Sequence, residues 1–492
     1  MKTLVIALGI MFFPHILIGQ YSFETVINSE KDEGLYYSFE TSYGSFMAVG
    51  FSQALTGSPK LYAPLIIEVN NQGEITKYCS LVKQDTSYLL FYGLEKPTGN
   101  FYFVGMVSEH GTNNKNRIIY VCETTPEMEI IWETYHHMPN EVRKGRLIHF
   151  LTMPDNTILF QGKADTSEMY TTNYIFTGYL DLNGNLLDLK FFYNPFMKEF
   201  GVYSDMIFNF DTTAIFFFGS FARGPSNFTT SFFEIDFDFN LISFSEYVGG
   251  KFLTAPTSVA WLPNGNLILA DRENNYGAKA EGLLVMLLAP DFTFIQDTFM
   301  VRPGMVYLPM FNGLDYTDPD NIWIATFNAM GSSTPTEVFH VQVFDSEMNL
   351  KGVKEYGGEK KLYRFYNLLA TSDGGCLITG QVPACDTCQN NSGYLFKVMP
   401  EDVVITSINE QSCKVTYSVE VFPNPFTENL TVHANAQGLT ISVHDFTGNK
   451  VIETEIQTTG VNLKTGHLSK GIYFYQIFEN GNVIKHGKLI KH

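Results

Sequence analysis

A short apolar run recurs along this chain at a nearly constant interval. Each run combines β-branched and aromatic residues, ends in most copies at a glycine, and is followed by a variable polar loop. Consecutive runs begin 52 to 57 residues apart, at 46–50, 101–105, 158–162, 215–219, 267–270, 322–325 and 376–380. A fixed period of this length is typical of repeat proteins, in which each unit buries its surface against its neighbours.

Each unit of the repeat contains further β runs. A second run follows the polar loop, for example at 65–69 or 394–398, and then come a tight turn and a third run. With the strand that precedes each first run, every unit has four strands, and no helical period lies between the units. A lone sheet with two apolar faces cannot bury both, whereas radial stacking buries them between neighbouring sheets. The pattern therefore predicts an all-β body, a seven-bladed β-propeller over residues 20–406.

The two ends of the body must also be joined. Residues 21–26 resemble the fourth-strand segments, notably 242–247, whereas the chain after Met399 loses the repeat. We therefore expect the N-terminal segment to supply the outer strand of the last blade. The alternative is a closing strand formed by Val403, Val404 and Ile405 alone.

The first residues have the pattern of a signal peptide. Lys2 precedes an apolar run at 4–18 that Pro14 interrupts, and this run is short for a membrane span. The pattern predicts a signal peptide over residues 1–19, cleaved after Gly19, and the alternative is an uncleaved anchor. No other stretch is long and apolar enough to cross a membrane, so we expect a mature chain without a span.

The C-terminal part of the chain follows a different pattern. Residues 407–416 are polar and predict a linker, and residues 417–492 show about seven short strands with turn signals. Asn480-Gly481 between two β runs is typical of a two-residue hairpin. Seven short strands in this length predict a small immunoglobulin-like β-sandwich.

Three motifs of this segment occur in a characteristic order. Pro423, Asn424 and Pro425 stand at its start, Gly471 and Tyr473 form a Gly-x-Tyr, and Lys488 and Lys491 lie in the last strand. In this combination the segment resembles the C-terminal sorting domain, type A, of the type IX (Por) bacterial secretion system. The customary Asp of that family is Asn462 here, which is a mild departure.

The resemblance implies a route and two partners. The chain would enter the periplasm by its signal peptide, and the outer-membrane translocon of the type IX system would recognise the folded tail. A sortase-like protease would then remove the tail before Val421, and the body would be released or attached to the outer cell surface. On this expectation the motif residues are a sorting signal that another protein recognises, and they have no catalytic role.

The charge distribution excludes some partners. The formal net charge is -19, while the segment from residue 417 onward holds six acids and six lysines and is neutral. The excess negative charge therefore belongs to residues 1–416. An acidic body argues against nucleic acid and anionic lipid, which require clustered Lys and Arg.

The cysteines do not predict a metal site. Cys385 and Cys388 form a Cys-x-x-Cys without the second pair that a zinc site needs. In an oxidising compartment a local disulfide between them is the favoured outcome. Cys79 and Cys122 are expected to stay buried thiols, or to pair if neighbouring blades bring them together.

Other polar clusters are explained by turns. His136 and His137 follow Glu133, and we expect a solvated turn there. Two carboxylate-rich segments, Asp315/Asp318/Asp320 and Asp181/Asn183/Asn185, are candidates for calcium but lack the closing Glu of an EF-hand. No other cofactor is predicted.

No catalytic constellation emerges from the residues of the body. The sequence lacks a phosphate loop, a nucleophile elbow and an identifiable pair of acids for glycoside cleavage. We therefore expect the body to bind an extracellular glycan, peptide or protein. The alternative is a hydrolase or lyase that acts on polysaccharide or peptide in the propeller channel, because propellers host both functions.

Overall fold

The computed structural model describes most of the chain in two compact units, Met1–Ile408 and Asn409–His492. The residues described are 22–27, 30–54, 61–80, 86–109, 118–139, 142, 144–165, 173–192, 205–224, 227–247, 253–275, 280–301, 306–328, 338–357, 363–384, 390–403, 419–434, 439–445, 449–456, 460–479 and 482–492. The expected signal peptide and the expected linker lie outside these residues.

The described strands of the first unit form antiparallel sheets of four or five strands. The chain begins with β1 (Phe23–Val26), which belongs to the last of them. Sheets 1 to 3 contain β2 (Lys31–Glu40), β3 (Phe46–Ala54), β4 (Tyr62–Val69) and β5 (Ile75–Ser80); β6 (Thr86–Glu95), β7 (Phe101–Glu109), β8 (Ile118–Thr124) and β9 (Ile130–His137); and β10 (Lys144–Thr152), β11 (Ile158–Asp165), β12 (Asn173–Leu180) and β13 (Leu186–Phe192). Sheets 4 and 5 contain β14 (Asp205–Phe208), β15 (Ile215–Gly224), β16 (Asn227–Ile235) and β17 (Leu241–Tyr247); and β18 (Leu253–Trp261), β19 (Leu267–Asn275), β20 (Ala280–Leu288) and β21 (Phe294–Val301).

The remaining sheets of this unit complete the same series. Sheet 6 contains β22 (Val306–Tyr307), β23 (Leu314–Asp315), β24 (Ile322–Asn328), β25 (Val338–Phe344) and β26 (Leu350–Gly357), and sheet 7 contains β27 (Arg364–Ala370), β28 (Cys376–Pro383), β29 (Asn391–Val398) and β1. One helical turn, α1 (Pro400–Val403), follows β29.

The repeat seen in the sequence corresponds to these sheets. Every first apolar run forms the second strand of its sheet, and every second run lies in the third strand. Third strands such as β8 and β25 are buried at every position, whereas the outer strand β9 is largely exposed. Burial at successive positions means that both faces of these third strands are covered.

The N-terminal strand closes the last sheet, as predicted. Phe23 to Val26 of β1 pair antiparallel with Lys397 to Tyr394 of β29. The pairing continues past the strand, because the Ile27 N–H donates to the Gly393 carbonyl at 2.9 Å. Val403 lies in α1, so it does not supply the closing strand; Val404 and Ile405 lie outside the described residues.

The first strands of several sheets share one irregularity. The pairing of β2, β6, β10 and β27 with the second strand shifts by one residue, at Tyr36, Phe91, Ile148 and Tyr366. A bulge of this kind leaves the extra residue unpaired and redirects its side chain.

The second unit consists of two sheets around one core. Its strands are β30 (Val419–Phe422), β31 (Asn429–Ala434), β32 (Leu439–Asp445), β33 (Lys450–Ile456), β34 (Gly460–Lys464), β35 (Gly471–Glu479) and β36 (Asn482–Lys491). Sheet 8 has the order β30-β31-β34, and sheet 9 the order β33-β32-β35-β36. The core between them contains Phe426, Leu430, Ile441, Tyr473 and Leu489. Glu479 pairs with Asn482, as a two-residue hairpin requires, and the Asn480-Gly481 pair itself lies outside the described residues.

None of the helices in the described part of the chain has the length and apolar character needed to cross a membrane.

Candidate functional site

The Pro423-Asn424-Pro425 motif lies along the outer edge of the last strand, β36. The Asn424 side chain donates from Nδ2 to the Lys488 carbonyl at 2.9 Å and accepts the Ile490 N–H at Oδ1, also at 2.9 Å. Phe426 continues this contact, with its N–H donating to the Ile490 carbonyl at 2.9 Å. An edge strand exposes unpaired backbone groups to other chains, and the motif covers this one.

The Gly-x-Tyr motif reaches the same place from β35. The Tyr473 side chain is buried, and its ring packs edge-on against Phe426, with 6.0 Å between ring centroids. The Tyr473 hydroxyl donates to the Ser469 carbonyl at 2.8 Å, so the buried phenol is satisfied. Gly471 has φ 156°, a value that favours glycine, at the start of β35.

The two lysines of the motif have different surroundings. Lys491 is buried, its Nζ donates to the Thr427 carbonyl, and it lies 5.5 Å from the centroid of the Phe426 ring. Lys488 lies on the opposite side of β36 and is exposed. The sequence motif therefore combines one lysine of the interior with one lysine of the surface.

These contacts join the three parts of the motif. Phe426 contacts Tyr473 and Lys491, and Asn424 holds the backbone of the last strand. The predicted motif residues therefore form one cluster of the second unit, with Lys488 at its outside. Phe426, at the centre of the cluster, was not among the predicted motif residues; its position directly after Pro425 was the only signal.

The first unit has an aromatic cluster to which three of the bulged residues contribute. Tyr36 stacks on Phe91 at 5.2 Å between centroids and contacts Phe311 at 5.7 Å and Tyr366 at 4.8 Å. Phe91 and Phe311 are also in contact, at 6.0 Å. These four residues, here called the central aromatic cluster, come from sheets 1, 2 and 7 and from the segment before β23.

Sheet 3 contributes a cation to this cluster. The guanidinium of Arg146, in sheet 3, lies 5.9 Å from the centroid of the Phe311 ring, and one of its nitrogens is 2.7 Å from the Met310 sulfur. Burial strongly raises the pKa of the Tyr36 phenol, which therefore stays protonated. Aromatic rings and the Arg146 guanidinium are therefore in mutual contact where these sheets meet.

A buried His–Asp pair joins sheets 3, 4 and 5. His149 Nδ1 lies 3.4 Å from Asp205 Oδ1, and both side chains are buried. Asp205 also accepts the Met206 N–H at 2.7 Å and the Val259 N–H at 2.8 Å. Burial lowers the pKa of His149 to about 3 and raises that of Asp205 to about 7. This pair is not apparent from the sequence, because the two residues lie in different repeat units.

Asp315 makes a comparable connection between sheets 6 and 7. Its carboxylate accepts the Tyr316 N–H at 2.9 Å and the Ala370 N–H at 2.8 Å, and burial raises its pKa to about 6. Asp318, the next acid of this candidate calcium segment, instead accepts the Asp320 N–H and the Asn321 amide, each at 3.0 Å.

The second candidate calcium segment is a hydrogen-bonded turn. Asp181 accepts the N–H groups of Asn183 and Asn185 and the Asn185 side-chain amide, each at 2.8 Å. Among the described residues no group of three or more His, Cys, Asp or Glu side chains could hold a metal ion. Calcium at either segment stays a prediction.

The histidine and cysteine predictions have mixed outcomes. His136 and His137 lie in β9 and not in a turn, and His136 Nε2 is 2.7 Å from the Gly184 carbonyl. Both histidines pair with residues of β8, so they belong to the sheet. The sequence of the histidine pair alone did not indicate this strand. Cys79 and Cys122 keep thiol side chains, Cys79 half-buried and Cys122 buried. Cys385 and Cys388 lie outside the described residues.

A cleft of about 560 Å³ opens where sheets 1, 2 and 3 meet. Tyr37, Tyr92 and Thr152 line it, and the Tyr92 hydroxyl is 2.9 Å from the Thr152 hydroxyl. Glu95 at its rim accepts the N–H and the hydroxyl of Ser42, each at 2.6 Å, which joins sheets 1 and 2. Its volume is within the range of pockets that bind small ligands.

The comparisons with known proteins identify the tail. Residues 420–492 match the family model of the secretion system C-terminal sorting domain. The second unit is therefore a C-terminal sorting domain of the type IX secretion system. No curated protein sequence matches the chain.

Several solved structures resemble the chain at low identity. PorZ, an essential bacterial surface component of the type IX secretion system of Porphyromonas gingivalis, is 12% identical over 96% of this chain and 70% of its own, with a TM-score of 0.31. The WD40 domain of SCAP from fission yeast is 10% identical over 77% of this chain and 95% of its own, with a TM-score of 0.36. The acylaminoacyl peptidase of Pyrococcus horikoshii is 10% identical over 85% of this chain and 58% of its own, with a TM-score of 0.41.

Proposed function

We propose that this protein is exported to the cell surface or the medium by the type IX secretion system, and that its body binds an extracellular ligand. The observation that carries the proposal is the sorting domain at 420–492, whose motif residues form one cluster. Residues 1–19 would direct the chain to the periplasm, and residues 417–492 would then be read by the translocon and removed by a sortase-like protease.

We further propose that the body is a seven-bladed β-propeller over residues 20–406. Two observations support a closed ring: β1 completes sheet 7, and the central aromatic cluster joins sheets that are distant in sequence. The tail would be an immunoglobulin-like sandwich, because its two sheets enclose a single apolar core.

The body is proposed to bind a ligand and not to catalyse a reaction in a central channel. In a closed ring the central aromatic cluster and Arg146 would occupy the place where a channel enzyme needs its acids or its metal. The cleft between sheets 1, 2 and 3 offers hydroxyls, a carboxylate and aromatic edges, which suits a sugar or a short peptide segment. Glycan, peptide and protein surface are the ligand classes that this cleft would accept.

Deletion of residues 417–492 tests the export proposal. The truncated protein should accumulate in the periplasm, while the full chain reaches the medium or the cell surface, as measured by immunoblotting of cell fractions. A truncated protein that still leaves the cell would contradict the proposal.

The ligand proposal is tested on glycan and peptide arrays with the body, residues 20–406, alongside turnover assays. Leu182 lines the cleft, so Leu182→Trp should abolish binding, whereas Leu187→Trp, at a position that is 55% exposed, should not. Turnover of an array ligand would favour the alternative, a hydrolase or lyase.

A further inference from the structure

Sheet 9 of the sorting domain exposes large apolar side chains on its outer face. Ile472, Phe474 and Ile490 are 43%, 46% and 38% exposed. Ile472 pairs directly with Ile490 across β35 and β36, and Phe474 pairs with Lys488. Directly opposed residues have Cβ atoms about 5 Å apart, so the four side chains form one continuous patch. This patch is here called the outer apolar face.

The folding of the tail does not account for this face. Side chains alternate between the two faces of a strand, and the neighbours Tyr473, Tyr475 and Leu489 already fill the core. Apolar residues that are exposed singly are ordinary, but a contiguous exposed patch marks a surface that another molecule covers.

Two residues of the motif, Tyr473 and Lys491, and the neighbouring Phe426 are buried in the folded tail. Phe426, Tyr473 and Lys491 are 1%, 6% and 7% exposed. Asn424 is exposed, but its amide is engaged by the backbone of β36. A protein that recognises the folded tail therefore has access to only part of the motif, and the outer apolar face offers it a further surface on the same domain.

The charge of the chain indicates the chemistry of that protein. The outer apolar face carries the exposed Lys488, while the nearby Lys450 is paired with Glu453 at 2.7 Å. The tail is neutral, whereas residues 1–416 account for the whole net charge of -19. An apolar surface bordered by carboxylates would attract this face and repel the body, which gives selectivity for the tail.

We propose that the outer apolar face is the surface of the tail that the type IX secretion machinery recognises, through an apolar patch bordered by acidic side chains on one of its proteins. The proposal rests on the proposed export function. Lys488 is then a recognition residue, and Pro423, Asn424, Pro425, Gly471, Tyr473 and Lys491 determine the fold that presents it.

The test uses the full chain in its native bacterium, with export measured by immunoblotting of the periplasm, surface and medium. The triple variant Ile472→Thr/Phe474→Thr/Ile490→Thr keeps β-favouring residues on the strands. We expect its export to fall at least about tenfold, with intact precursor accumulating in the periplasm. The matched control is Phe422→Thr, at a position of sheet 8 that is 43% exposed, and it should be exported normally.

A second variant guards against misfolding of the triple variant. Lys488→Glu leaves every apolar residue in place, should preserve the protection of the Ile490 amide from hydrogen exchange, and should also impair export. Normal export of both variants, or equal impairment of the Phe422→Thr control, would overturn the proposal. Normal export of the chain lacking 417–492 would instead overturn the export function itself, so the two failures are distinguishable.

Discussion

The closure of sheet 7 by the N-terminal strand predicts a large effect of one buried side chain. Ile27 follows β1, is 3% exposed, and packs with Leu35, Leu65 and Leu395 from sheets 1 and 7. Ile27→Ala removes three carbons, each worth about 0.8 kcal/mol of transfer free energy. The cavity that remains adds to this, so we expect the free energy of unfolding to fall by about 3 kcal/mol. The backbone hydrogen bond from Ile27 to Gly393 is kept, and the change therefore isolates the packing of the closing segment.

Urea unfolding of the full protein, followed by tryptophan fluorescence, measures this change. Ile131→Ala is the matched control, because Ile131 is 48% exposed in the outer strand of sheet 2. Substitutions at such surface positions usually change stability by less than about 0.5 kcal/mol. If Ile27→Ala lowers the unfolding midpoint no more than Ile131→Ala does, the N-terminal segment does not close the sheet in solution.

Three further predictions concern buried polar groups and the tail motif. Asp205→Ala leaves two buried backbone N–H groups without an acceptor and should destabilise the body by about 2–4 kcal/mol in the same urea assay, whereas Asp211→Ala, in an exposed turn, should shift the unfolding midpoint far less. Because the pKa of His149 is lowered from 6.5 to about 3, the folded state favours the neutral ring, and stability is lost as the pH falls below 6.5, by up to about 1.4 kcal/mol per pH unit. His149→Gln should remove this part of the pH dependence, and an unchanged slope would contradict the assignment. Asn424→Ala should cost about 1 kcal/mol and speed hydrogen exchange at the amide whose acceptor it removes, while Asn462→Ala, on β34, should leave that exchange unchanged.

The strand order of the body was predictable because its pattern is local. The apolar runs are short, β-branched and bounded by turn residues, and each one forms the same strand of its sheet. The closing strand was predictable for the same reason, since residues 21–26 resemble other outer strands. Its partner, β29, was predictable because the last sheet would otherwise lack its outer strand.

The contacts between repeat units could not be predicted from the sequence. Tyr36 and Phe91 look like ordinary strand residues, and only the bulge shows that their side chains leave the ladder and meet. His149 and Asp205 lie in consecutive sheets, so no local spacing rule connects them. In the tail, Lys488 and Lys491 look alike in the sequence, and the strand register alone decides which one is buried.

The pairing of β1 with β29 also constrains the order in which the body can form. Phe23 is synthesised before sheets 1 to 6, and its partner Lys397 is synthesised after them. Contacts between residues so far apart in sequence form slowly, because the intervening chain must be ordered first. Strand β1 therefore stays without its partner until β29 has been made, and its unpaired backbone groups are open to other chains during that interval. Because the four residues of β1 pair only with β29, sheet 7 cannot be completed before the body has been synthesised in full.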